Sequence, residues 1–289
     1  MKAVIHKSSI PASKIFEIKY LSEKNFDPTW HAHAEYQLFL IIEGTGTRFI
    51  GDSIKSFSPG ELVFTGPHLP HLWRSDEAYF EKNSALKTSG IVIYLNEYFL
   101  GEETLGKDEF ILINKLFKKS IRGLEFFGDS KNKVADLMKE LTHLNGIKSV
   151  LQLLEILTLL SESRQYQYIS PLSYDNPLKE TETVRMNTVY EFIFKNFRKK
   201  ITLNDGAALL HMTPTSFSRH FSIINNKTFS RFLSEIRIKH ACKMLIESDE
   251  SISGICYNSG FNTLSNFNIQ FKEVMLKTPM EYKKKFMNL

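Results

Sequence analysis

Arg219 shares a helical face with Thr215 and Ser218, at spacings of three and four residues. A second such face, fifty residues on, carries Leu264, Ser265, Asn268, Ile269 and Lys272. These residue types suit the edges of bases in a DNA groove. An arginine fork can donate to O6 and N7 of guanine, discriminating by about 1–3 kcal/mol. Asparagine fits an adenine edge, leucine and isoleucine fit thymine methyls, and lysine fits a phosphate. Arg219 would equally suit a phosphate or a neighbouring carboxylate, and its spacing leaves that choice open. A second set of side chains offers different chemistry. His31 and His33 stand two apart just before an apolar run, and His71 follows Pro70 after a later one. Paired imidazoles near a strand form hydrogen bonds at a surface or, in the right geometry, share a metal ion.

Reading a groove needs a rigid mount, and the chain repeats one. Ile201–Phe221 and Ser251–Phe271 each read as a short helix, a tight turn and a second helix. Phe217 and Phe221 recur as Phe267 and Phe271. Ala207 and Met212 recur one step out of phase as Cys256 and Phe261, so the second turn is longer by a residue. Each phenylalanine pair turns one side of its helix to the core and leaves the other for the groove. Thr213 before Pro214 is a helix start, with a capping hydroxyl and a proline in the first position. A helix is also predicted over 184–197. Between the units, Phe229–Glu247 spaces Phe232, Leu233, Ile236, Ala241, Met244 and Leu245 as one helix. At 1.5 Å per residue it is about 28 Å long, near the ~34 Å between successive major grooves. Two helix-turn-helix units so joined read as a grip on double-stranded DNA.

The N-terminal part has another rhythm. Tyr36–Ile42, Thr47–Ile50, Glu61–Thr65 and Gly90–Leu95 read as strands, separated by Gly- and Pro-containing turns. Short strands at close spacing suggest a sandwich or barrel. Asp108–Lys119 and Lys131–Ser163 then read as helices, with Val134, Leu137, Met138, Leu141 and Leu144 along one face. Residues 150–160 are apolar on nearly every side and need covering on more than one face, by the β domain or by a second copy of the chain. Residues 164–183, with Pro171 and Pro177, read as a linker. The fold expected is α+β in two domains. A β domain occupies 1–100, a helical dimerisation segment and linker 101–183, and an all-α double helix-turn-helix domain 184–289.

Charge follows this division. The 289 residues carry a net +5, yet 184–289 holds sixteen Lys and Arg against eight Asp and Glu, and the remainder twenty-one against twenty-four. The positive charge travels with the helix-turn-helix pair, as phosphate binding requires. No apolar run nears the roughly 20 residues of a membrane span. The first residues show no signal-peptide pattern, and Cys242 and Cys256 read as small buried side chains rather than a disulfide. A cytoplasmic protein without membrane contact is expected.

Residues 184–287 resemble the DNA-binding domain of the AraC/XylS family of bacterial transcription regulators. The pattern stands at Ile255-Cys256, Gly260-Phe261, Ser265, Phe267, Phe271-Lys272, Thr278-Pro279 and Tyr282, and at Arg237-Ile-Lys-His-Ala241 with Leu245. Three departures are visible. Gly206 stands for a small apolar residue, Asn226 and either Leu276 or Lys277 stand for glycines, and Ile269 stands for a frequent arginine. The stretch from Trp30 to Gly44, then Pro59-Gly60 and Pro70-His71, resembles the two motifs of a cupin barrel. Metal-holding cupins use two His and a Glu of the first motif and a His of the second, which here fall on His31, His33, Gln37 and His71. A neutral amide is a poor ligand for a hard cation, and Glu35 falls on the opposite strand face by the two-residue period. No metal or other cofactor is therefore expected; His31, His33 and His71 are the residues that would hold one.

The resemblance implies a cupin-like sensor barrel that binds a small effector through Trp30, His31, His33, Gln37, Arg48, His71 and Trp73. Aromatic faces beside polar side chains suit a carbohydrate, although each tryptophan would equally suit a core. The resemblance also implies promoter DNA, RNA polymerase and a second copy of the chain as partners. The leading expectation is a non-enzymatic transcription regulator controlled by its effector. Two readings compete: a metal-dependent cupin enzyme fused to a DNA-binding tail, which Gln37 opposes, and a constitutive DNA-binding protein with a scaffold barrel.

Overall fold

The computed structural model describes residues 10–171 and 180–287. The readings of residues 1–9 and of the linker over 172–179 lie outside the described residues. The chain divides into two compact units, residues 1–176 and 177–289.

The first unit is built on two antiparallel sheets. Strands β1 (Phe16–Glu23), β2 (Tyr36–Glu43), β3 (Gly46–Ile50), β4 (Ser53–Phe57), β5 (Leu62–Thr65), β6 (His71–Ser75) and β7 (Thr88–Leu95) precede a short helix α1 (Glu102–Leu105). Then follow α2 (Ile111–Ser120), β8 (Leu124–Phe126), α3 (Gly128–Leu141), α4 (Ile147–Glu162) and β9 (Tyr166–Tyr168). The larger sheet runs β1-β7-β2-β5-β8-β9 and the smaller β4-β3-β6.

The near-continuous apolar run of β2 has a direct cause: both its faces are covered. Leu38 and Leu40 join Ile91, Ile93, Leu62 and Phe64 in a core shared with α2, α3 and α4. Phe39 and Ile41 point the other way and pack with Val63, Val92, Phe57 and Trp73 between the two sheets. Gln37 lies opposite Tyr94, and Phe39 opposite Val92, so alternation carries Gln37 and Tyr94 onto the inner face. The expected strands all form. β1, β4, β6, β8 and β9 are additional.

The helices of 101–163, expected as a separate segment, complete the first core. Strand β8 pairs with β5, and Val134, Met138, Leu153, Ile156, Leu157 and Leu160 bury onto the sheet's outer face. The stretch 131–163 is two helices: α3 ends at Leu141, and α4 starts after Gly146, which turns the chain at φ 61. Leu144 still packs on that core. At the start of α4, Ile147 and Leu151 stay 70% and 60% exposed.

The second unit is all helical: α5 (Glu180–Asn196), α6 (Leu203–Leu209), α7 (Pro214–Asn225), α8 (Phe229–Glu247), α9 (Ile252–Asn258), α10 (Leu264–Met275) and α11 (Pro279–Met287). Hydroxyl caps start each helix of the motif. Thr202 forms a capping box with Asp205, and Thr213, Thr228, Ser251 and Thr263 each accept from the backbone N–H three residues on. Pro214 holds the first position of α7.

Candidate functional site

A cavity of about 240 Å³ opens inside the barrel. Leu21 of β1, Phe39 of β2, Trp73 of β6, Val92 of β7 and Phe26 form its apolar wall. Its polar end carries His31, His33, Glu35, Gln37 and Tyr94, with Asp27 beside them.

The polar end is set by short local contacts. His31 and His71 pair through their backbones, His31 N–H to His71 O at 3.2 Å and His71 N–H to His31 O at 2.9 Å. That bridge brings their rings within 4.6 Å. His31 Nδ1 lies 2.8 Å from Thr29 O, and His71 Nδ1 lies 2.7 Å from Leu69 O. A carbonyl only accepts, so each Nδ1 carries the proton, and in the neutral ring the lone pair sits on Nε2. His33 Nδ1 is 3.1 Å from Glu35 O and its Nε2 is 3.2 Å from the Gln37 side-chain amide.

Glu35 corrects the sequence reading. Strand β2 begins only at Tyr36, so strand alternation does not reach Glu35. Its carboxylate is buried, lines the cavity and stands 3.3 Å from His33 Nδ1. The Tyr94 phenol is pushed up to about 12, chiefly by burial and further by the charge of Glu35.

His31, His33 and His71 form a cluster whose ring nitrogens lie within 4.8 Å of one another. Two nitrogens on one zinc ion at about 2.1 Å each stand roughly 3.4 Å apart in a tetrahedral site. The cluster has the donor chemistry for a borderline metal but would have to contract to hold one.

The remaining sequence-derived residues stand as follows. His33, Gln37 and Trp73 line the cavity with His31, while Trp30, Arg48 and His71 are buried outside its lining. Arg48 is 1% exposed and bridges two carboxylates, with Nε 3.1 Å from Glu61 and Nη2 on Glu125. Lys55 also reaches Glu125, and Trp73 Nε1 donates to Glu61 at 3.5 Å. Burial pushes the Glu61 carboxyl up, and Arg48 only partly offsets it. Burial acts the same way on Glu125, but Arg48 and Lys55 together bring it below the usual range. Leu21, Phe26, Asp27, Phe39, Val92 and Tyr94 escaped the sequence reading. The inward alternation of β2 and β7 could have found Phe39, Val92 and Tyr94.

In the helical unit, Phe217, Phe221, Phe267 and Phe271 are fully buried. Phe221 contacts Phe229 and Phe232 of α8, with ring centroids 5.4 Å apart in both cases. Phe267 packs between Phe261 and Phe271. The opposite faces are open. Thr215 and Arg219 are exposed and Ser218 is half-buried on α7; Leu264, Ser265, Asn268, Ile269 and Lys272 are all exposed on α10. Among the described residues, no ion pair involves Arg219.

Comparison with known proteins matches both units. The AraC-like ligand-binding domain matches residues 17–88, and a helix-turn-helix domain matches residues 207–285. An uncharacterised HTH-type transcriptional regulator, YdeC of Bacillus subtilis, is 24% identical over 269 residues, covering 88% of this chain and 85% of that protein. The chain thus carries an AraC-like ligand-binding domain followed by a helix-turn-helix domain, and its relatives are HTH-type transcriptional regulators. The bifunctional transcriptional activator/DNA repair enzyme AdaA of Bacillus subtilis is 29% identical over 98 residues, 34% of this chain and 46% of AdaA. The crystal structure of ToxT from Vibrio cholerae overlaps 95% of this chain and 99% of that one, at 13% identity and a TM-score of 0.37.

The departures from the AraC/XylS-like pattern acquire physical content in the structure. Asn226 and Leu276 end α7 and α10 in the left-handed conformation, at φ 51 and φ 56. They, and not Lys277, take the positions that favour glycine. Gly206 sits under the ring of Phe217, where a Cβ would come within 2.6 Å of it. A larger residue there requires Phe217 to shift.

Proposed function

We propose that the chain is a sequence-specific, effector-controlled transcription regulator. Thr215, Ser218 and Arg219 enter one major groove, and Leu264, Ser265, Asn268, Ile269 and Lys272 enter the next. The observation that supports this most is the pair of open faces on α7 and α10, each backed by a buried phenylalanine pair and joined through α8. Recognition helices presented in that way match the two-groove docking of helix-turn-helix proteins.

The barrel cavity is the effector site. It combines an apolar wall with a few converging polar groups, the usual composition of a small-molecule pocket. A carbohydrate fits the aromatic part of that wall. The effector acts by binding two states of the protein with unequal affinity. The exposed Ile147 and Leu151 of α4 are the surface on which a second copy docks. The chain acts in the cytoplasm, without catalysis, and its further partner at the promoter is RNA polymerase. Among the described residues, no helix is long and apolar enough to cross a membrane.

The test is selection of binding sites from random DNA with the full chain. It should return one motif in two boxes about one helical turn apart. Recovery of no motif would overturn sequence-specific readout.

A further inference from the structure

The two recognition faces differ in their chemistry. On α7, Thr215, Ser218 and Arg219 are all hydrogen-bonding groups. On α10, two polar side chains are turned to the neighbouring helix. The Ser234 hydroxyl of α8 donates to Gln270 Oε1 at 2.8 Å, and the Arg231 guanidinium of α8 donates to Glu273 Oε2 at 2.9 Å. Gln270 Nε2 donates to that same carboxylate oxygen at 3.3 Å. The outer face of α10 is left with an apolar centre. Ile269 is 58% exposed, with Ser265 and Lys272 one turn to either side and Asn268 beside it. Leu264, 37% exposed, stands in the first turn of the helix.

From this we infer that the two helices divide the readout: α7 reads its box of the operator by hydrogen bonds, and α10 reads the next box through thymine methyls held by Ile269 and Leu264. The inference rests on the reading of both faces as groove-facing. Charge sets the occupant of the α10 face. Residues 184–289 carry sixteen Lys and Arg against eight Asp and Glu, which favours a polyanion over a second apolar protein surface. An alkyl side chain neither donates nor accepts, so it gains nothing from N7, O6 or an exocyclic amine. The C5 methyl of thymine is the apolar group that base edges offer in the major groove. Leu264 and Ile269 lie five residues apart, about 7.5 Å along the axis. That exceeds the rise of about 3.4 Å between base pairs, so the two side chains meet different pairs. Asn268 fits an adenine edge and Lys272 a phosphate, and the box under α10 is therefore rich in A·T pairs.

The test removes the methyls alone. The operator is selected from random DNA with the full chain, and each box is then remade with deoxyuridine in place of thymidine, which keeps base pairing. Affinity is read by fluorescence anisotropy. In the second box binding should weaken about fourfold for each methyl contacted, and the penalty should persist at raised salt, where phosphate contacts fade. In the first box the change should stay within about twofold, because hydrogen-bonding readers keep their partners. The double variant Leu264→Ser with Ile269→Ser should bind the thymine and uracil operators alike; the uracil comparison itself uses the parent protein and stands whether or not the variant folds. A second box rich in A·T that binds equally well with uracil is read by shape and overturns the inference, as does a second box selected as G·C or not selected at all. In those cases a recovered first box leaves sequence-specific binding standing. Equal penalties in both boxes overturn the division between the helices, and a penalty that persists in the folded double variant overturns the assignment to Ile269 and Leu264. No motif in either box overturns the DNA reading of both faces, and the inference with it.

Discussion

His31 and His71 exchange backbone hydrogen bonds across an isolated antiparallel bridge, and their rings stand 4.6 Å apart. Residues far apart in sequence thereby share one corner of the barrel, the corner where the cavity's polar groups converge. The bridge depends on backbone atoms, so side-chain changes at either histidine should leave it intact. His31→Gln keeps a polar side chain of similar reach, and it should weaken ligand binding while the protein melts within a few degrees of the parent. Differential scanning fluorimetry with and without ligand separates the two effects. Loss of the folded transition would make His31 a structural residue.

Arg48 is enclosed by Glu61 and Glu125 at 1% exposure. Removing one partner of a buried ionic cluster leaves charge without compensation, at a cost of about 3–5 kcal/mol. Arg48→Met should therefore lower the stability of the first unit by that amount, read by urea unfolding. A change below about 1 kcal/mol would show that water screens the cluster.

Gly206→Ala places a methyl against the buried ring of Phe217. Overpacking of this kind costs about 1–3 kcal/mol. DNA affinity should fall along with stability, because Phe217 fixes the face that carries Arg219. An unchanged melting temperature would mean that the ring has room to move.

Leu276 is 85% exposed and held at φ 56. A leucine in that conformation is strained, and it buries little in return. Leu276→Gly should stabilise the helical unit by about 0.5–1 kcal/mol, reduced by the extra freedom glycine has when unfolded. Destabilisation in chemical denaturation would show that the leucine makes a contact worth more than its strain.

Arg219→Ala distinguishes the two roles left open by the sequence. If the guanidinium reads guanine, affinity falls by about 1–3 kcal/mol at one base position and specificity relaxes there. If it pairs with phosphate, binding weakens evenly across sequences and the salt slope drops by about one. Equal affinity and slope in parent and variant would remove Arg219 from the interface.

Much of this architecture is legible in the chain because its strongest signals are local. The phenylalanine pairs, the Thr213-Pro214 cap and the spacing of Phe229–Glu247 each depend on neighbours a turn or two away, and the helices start and stop accordingly. The strands that escaped are those whose existence depends on distant partners. β8 and β9 are three residues each; β8 forms because β5 offers an edge, and β9 because β8 then offers the next. β1 is half open to solvent, and only its pairing with β7 defines it. For the same reason the cavity was partly visible: Gln37 and the histidines stand out by type, while Leu21, Phe26 and Val92 are ordinary apolar residues until the sheets meet. Glu35 was misread because alternation was applied one residue before the strand begins.

The central claim is that occupancy of the barrel changes the grip on DNA. The direct measurement is the dissociation constant of the full chain for its selected operator, by fluorescence anisotropy at fixed salt. It is made with and without the compound that most raises the melting temperature in a panel of sugars, amines, carboxylates and zinc. The account predicts a change of at least about fivefold, the lower end of ordinary coupling between sites, and its loss in Leu21→Trp. An operator affinity that stays the same at saturating ligand would contradict it and leave the barrel as a scaffold.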